Sequence, residues 1–163
     1  MGLAADEMRH NAEQAFQRAM EQLSTGDLQG ARASLAVAVM LYAQLEEKQP
    51  ALLAGTYLAD ILCELGLMEE ARINYEAGLR LISELEAEQG LRQSKLFASI
   101  HLKLANLELS RGRLELAQHH LEVAERTIDE EGLGELSDIA RQTRLDLEAS
   151  RGREGDSSSE KGS

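Results

Sequence analysis

The sequence predicts an all-α fold of repeated helical hairpins, and three observations carry the prediction. Apolar residues recur at helical spacing almost without interruption from about residue 5 to about residue 150. No segment shows sustained period-two alternation rich in Val, Ile and Thr, so no strand is expected. One pattern is also written three times, as Gly26-Asp27-Leu28…Ala31…Leu35…Ala38, Gly66-Leu67-Met68…Ala71…Tyr75…Gly78 and Gly112-Arg113-Leu114…Ala117…Leu121…Ala124. In each copy larger apolar residues stand two and nine positions after the glycine, and small residues five and twelve after it. The small residues share one helical face and let a neighbouring helix come close.

Seven helices follow, over roughly 5–24, 28–48, 50–65, 68–88, 92–111, 114–130 and 135–150. In the first, Met8, Ala12, Ala15, Phe16, Ala19, Met20 and Leu23 form one stripe. It stops at Thr25-Gly26, and Asp27 can cap the second helix through its side-chain oxygen. The break at Gln49-Pro50 opens the third, because proline suits a first helical turn. Gly66, Gly90 and Gly112 separate the fourth, fifth and sixth helices, since glycine tolerates the left-handed conformation that closes a helix. After Gly132-Leu133-Gly134 comes a seventh, with Leu136, Ile139, Ala140, Thr143 and Leu147 facing inward and Asp138, Arg141, Gln142, Arg144 and Glu148 facing water. The domain is expected over 1–150. From 151 to 163 no apolar side chain occurs, and a disordered polar tail is expected.

The formal net charge of −12 belongs to the folded part, because the acidic and basic residues of 151–163 cancel. That balance argues against nucleic acid and against anionic membrane surfaces, both of which are recognised by Lys and Arg. A single cysteine, Cys63, cannot form an internal disulfide. The N-terminus shows no basic-then-apolar secretory pattern, Asp6 stands where a myristoylation motif has Ser or Thr, and no apolar run is long enough to span a membrane. The expected location is cytoplasmic.

The repeated pattern resembles the tetratricopeptide repeat family over about residues 5–150. The family's second helix opens Gly-Asp-Tyr-x-x-Ala-x-x-x-Tyr-x-x-Ala-Leu, and Gly66-Leu67-Met68 through Gly78-Leu79 is the closest copy. Leu28, Leu35, Leu114 and Leu121 replace the aromatic places in the other two, and Leu58-Ala59 and Leu104-Ala105 stand where the family has Leu-Gly. The glycines are 40 and 46 residues apart, against about 34 in the commonest form, so the helices or their links must be longer. The resemblance implies a right-handed α-solenoid of three antiparallel helical hairpins plus a capping helix.

It also implies where a partner would lie. The inner groove of the family is lined by the first helix of each hairpin, here at Phe16, Met20 and Leu23, Tyr57, Asp60 and Glu64, and Lys103 and Asn106, with Glu13, Gln17, Thr56, Ser99 and Leu102 beside them. The subset that grips the carboxylate tail of heat-shock chaperones has Lys and Asn at places held here by Phe16, Met20 and Tyr57. Of its basic residues only Lys103 remains, so that activity is not expected. The strip instead suits an amphipathic, neutral-to-basic protein segment. The alternative is that Phe16, Met20 and Leu23 pack against the neighbouring hairpin.

The residues that could carry chemistry do not assemble into a catalytic pattern. His10, His101, His119 and His120 include no pair four apart on a helix, as a metal site would want. The carboxylate runs lack a Ser, Cys or His companion at catalytic spacing, and no phosphate loop or paired CxxC occurs. The sequence therefore points to a non-enzymatic protein–protein interaction module, an adaptor or chaperone-like scaffold, without cofactor. The alternatives are a structural repeat protein that self-associates into a homo-oligomer, or a fragment of a longer repeat scaffold.

Overall fold

The computed structural model describes residues 2–159, with side chains described as far as residue 156. Among them no strand occurs, and the helices α1 (Gly2–Ser24), α2 (Leu28–Gln44), α3 (Lys48–Glu64), α4 (Met68–Gln89), α5 (Ser94–Ser110), α6 (Leu114–Glu131) and α7 (Ser137–Ser159) make an all-α helical-repeat fold. A single 3-10 turn, Gly134–Leu136, precedes α7. The packing groups into two compact units, Met1–Leu91 and Arg92–Ser163. The first holds the hairpins α1/α2 and α3/α4, and the second the hairpin α5/α6 with α7 against both its helices.

The turns show why the chain folds this way. Gly26, Gly66, Gly112 and Gly132 all have positive φ, and so does one non-glycine residue, Glu46, at 57°. After each of these five residues the next amide donates to the carbonyl five positions back: Asp27 to Gln22, Glu47 to Tyr42, Leu67 to Leu62, Arg113 to Glu108 and Leu133 to Ile128, at 2.8–3.0 Å. This is the bond that satisfies otherwise orphaned carbonyls at a helix end. In the first unit left-handed residues stand at 26, 46 and 66 before Gly90 closes α4, so α2 and α3, each a 17-residue helix with a three-residue link, make steps of equal length. The extra length of these repeats is therefore in the helices rather than the links.

Glu46 also corrects one boundary. The break expected at Gln49-Pro50 lies at Leu45–Glu47, because the left-handed position is held by an acidic residue and not a glycine. Pro50 sits at the third position of α3, where its missing N–H removes no helical bond. Asp27 caps α2 as expected, accepting the amide of Gly30 at 2.9 Å.

The repeated pattern builds the core. Ala31, Leu35 and Ala38, then Ala71, Tyr75 and Gly78, then Ala117, Leu121 and Ala124 are all buried. In the second unit Ala98, Leu102 and Ala105 of α5 meet this face, and Leu136 of the 3-10 turn with Ala140 and Leu147 of α7 close it. Ile139, expected inward, is exposed, because it lies about 70° around the helix from the centre of the stripe buried at Ala140, Thr143 and Leu147. Nor does α7 stop near 150. Arg151–Ser159, expected as disordered tail, continue the helix, and Arg151 reaches Gln118. Extension of an existing helix costs little once its first turn is formed, although the side chains of residues 151–156 are all exposed. Residues 160–163 of that tail lie outside the described residues.

Glu46→Gly should stabilise the protein by about 1 kcal/mol, since a side chain in the left-handed region costs about 1–2 kcal/mol and glycine's greater freedom when unfolded returns part of it. Gly66→Ala should destabilise it by a similar amount. Urea unfolding of both variants checks the pair, and equal stability with the parent in both would contradict the turn assignment.

Candidate functional site

Packing of α3 against its neighbours leaves one side of this helix free. Tyr57 is 38% and Leu53 47% exposed, and Glu64 is exposed on the same side. Opposite them on α1, Phe16, Met20 and Leu23 are half-buried. The structure brings Phe16 and Tyr57 together, with ring centroids 5.9 Å apart in an edge-to-face arrangement at 67°. Such pairs fix ring orientation as well as burying area. The result is a partly exposed apolar strip from two helices, with Glu13 and Gln17 exposed beside it. Leu53 belongs to this strip and was missing from the sequence-derived set. Its spacing of four from Tyr57 was the available signal.

Asp60 lies nearby and also makes a contact within the hairpin. Its carboxylate accepts the hydroxyl of Tyr75, the buried aromatic residue of α4, and so ties the two helices of this hairpin. Burial, and then this carboxylate, raise the Tyr75 hydroxyl above its ordinary pKa. Cys63 is half-buried within 3.9 Å of the same hydroxyl.

Lys103 and Asn106 belong to the second unit. Asn106 is exposed, and its side-chain oxygen accepts from Thr143 at 3.1 Å, which joins α5 to α7. Lys103 is half-buried. The α6/α7 contact carries the bidentate pair of Arg144 with Glu125. In α5, Glu108 is buried with one carboxylate oxygen lacking a hydrogen bond, and its nearest cation is Arg113 at 3.7 Å.

The histidines divide by burial, which spacing alone did not reveal. His101 is 7% exposed, and its Nδ1 lies 3.0 Å from Nδ1 of His120, so one ring donates to the other. Phe97 packs edge-on against His101 with centroids 4.5 Å apart. Burial, and then His120 and His119, lower the pKa of His101 to about 4. Among the described residues no group of three or more His, Cys, Asp or Glu is placed to hold a metal ion, and no helix is long and apolar enough to cross a membrane.

No protein-family profile and no curated protein matches the chain. The functional reading therefore rests on the surfaces themselves.

The His101 geometry makes stability depend on pH. The unfolded chain takes up a proton near pH 6.5, whereas the folded state resists it until about pH 4. This contribution is therefore complete above pH 6.5 and is lost as the pH falls toward 4. About 2 kcal/mol should disappear between pH 7 and pH 5. Urea unfolding at the two pH values should show the loss in the parent and a smaller one in His101→Leu. A parent equally stable at both would contradict the buried neutral ring.

Proposed function

We propose that the chain is a non-enzymatic interaction module of the tetratricopeptide type, which holds an amphipathic, neutral-to-basic segment of another protein against the α1/α3 side. The observation that supports this most is the Phe16–Tyr57 pair, an aromatic contact left partly open with Leu53 and Met20 beside it. Aromatic side chains at the centre of an interface dominate its affinity, and they are available here without unfolding anything. The acidic balance of the chain, −12, favours a basic partner and mainly raises its association rate. Glu64 is one acidic member of the strip. Asp60, the second acidic residue of the strip, also bonds Tyr75 through its carboxylate.

Self-association is the second reading, favoured by apolar side chains exposed on other helices: Met40 on α2, Ile73 on α4, and Ile139 and Leu145 on α7. Sedimentation over a concentration range separates the two. An adaptor of this kind stays monomeric until its partner is added, while a self-associating protein gains mass with concentration.

A partner isolated by affinity capture and mass spectrometry should then be titrated against variants. Tyr57→Ala should weaken binding by on the order of 1–2 kcal/mol with little change in melting temperature. Glu64→Lys should slow association with a basic partner and reduce its salt dependence. Unchanged affinity in both would move the binding site off this side of the protein.

A further inference from the structure

The three copies of the repeat place residues of different size eleven positions before the closing glycine. The residues there are Ala15, Gly55 and His101. Fifteen before it stand Asn11, Ala51 and Phe97, and eight after it Ser34, Asn74 and His120. In the α5/α6 hairpin these positions are filled by three rings that touch one another, Phe97 on His101 and His101 on His120. In the α3/α4 hairpin the same positions carry Ala51, Gly55 and Asn74. A cleft of about 660 Å³ opens there, lined by all three.

The cleft lies between the C-terminal half of α2 and α4, on a floor made by the start of α3. Val39, Ala43, Ala77 and Leu81 supply further apolar lining. Tyr42 also lines it, buried and with no hydrogen bond from its hydroxyl among the described residues. Gly55 is a mid-helix glycine without positive φ, so the backbone does not require it. A Cβ built on it meets no atom within 4 Å. Glycine at such a site costs about 1 kcal/mol relative to alanine, and here its one structural consequence is the open space above it. Gly55 and Tyr57 are about 200° apart around α3, so the cleft opens on the other side of the helix from the aromatic strip.

The surroundings define an occupant. Ion pairs bracket the cleft, with Arg32 to Glu70 joining α2 and α4 at 3.0 Å and Lys48 held between Glu84 and Glu88. Its rim carries Glu46, Glu47, Glu84 and Glu88 against Lys48 and Arg80, and with Arg9 paired to Glu47 at 2.6 Å a small acidic excess remains. Space that rings occupy in the sister hairpin, an apolar floor and an acidic rim together fit an aromatic side chain carried on a basic segment. We propose that this cleft is a second docking site, which receives an aromatic anchor flanked by Lys or Arg from a partner protein. This site is separate from the α1/α3 strip and stands or falls without it.

The chain contains no tryptophan, so a Trp-bearing peptide reports on its own burial. The probe is a short helical peptide with one Trp between lysines, compared with the same peptide carrying glutamates and with Trp replaced by Ala. Its fluorescence should shift to the blue on titration with the full chain, and glutamate flanks should weaken binding at least tenfold. Gly55→Leu should raise the melting temperature and abolish the shift. Tyr57→Ala should leave it unchanged, which keeps this test apart from that of the strip. The proposal is overturned if the lysine-flanked peptide gives no shift at about 1 mM protein, or if it binds Gly55→Leu as well as the parent. It is also overturned if the parent forms a dimer that Gly55→Leu abolishes, because a second copy would then fill the cleft.

Discussion

A single residue held in the left-handed conformation, followed by an amide that reaches the carbonyl five positions back, is the constraint on which the rest of this protein depends. The bond closes one helix and aims the chain into the next within three residues. Because it recurs at 26, 46, 66, 112 and 132, it sets the rotational phase of each helix that follows. After Gly26, Gly66 and Gly112 the small residues five and twelve positions on then meet a neighbouring helix, and the larger ones between them fill the core. A shift of one residue would turn each helix by about 100° and bury its charged side.

Within that shared register, the copies diverge where the surfaces differ. The first unit leaves Tyr57 and Leu53 open on one side of α3 and a small-residue cleft on the other. The corresponding space in the second unit is filled by Phe97 and His101, and that unit uses buried polar groups to join its helices. The Thr143–Asn106 bond and the Arg144–Glu125 pair hold α7, which covers apolar surface that α5 and α6 would otherwise expose. His101 carries a cost in acid that an aliphatic residue would not, since its ring must stay neutral to remain buried.

Much of this was legible from residue order alone, because periodicity and turn chemistry are local. The seven helices, the Asp27 cap and the burial of Ala31, Ala71 and Ala117 follow directly from the glycine-anchored pattern. Glu46 hid the second turn, since nothing in an acidic residue announces a positive φ, and Pro50 drew the boundary a few residues late. Asp60 looked like a surface charge because its partner, Tyr75, is fifteen residues away on another helix. The 3.6-residue period placed Ile139 at the edge of a stripe, and only tertiary packing decides whether an edge is covered. Gly55 passed unnoticed because a cleft is made by what is missing. Alignment of the copies on their glycines would have set it against His101.

Amide hydrogen exchange resolved residue by residue tests the central constraint most directly. The amides of Asp27, Glu47, Leu67, Arg113 and Leu133 should exchange slowly, like those inside the helices they close, although all five lie in links. Leu91, which follows Gly90 without such a bond, should exchange freely. Fast exchange at the five link amides, with the helix interiors still protected, would show that the turns do not hold the helices in register and would contradict the account.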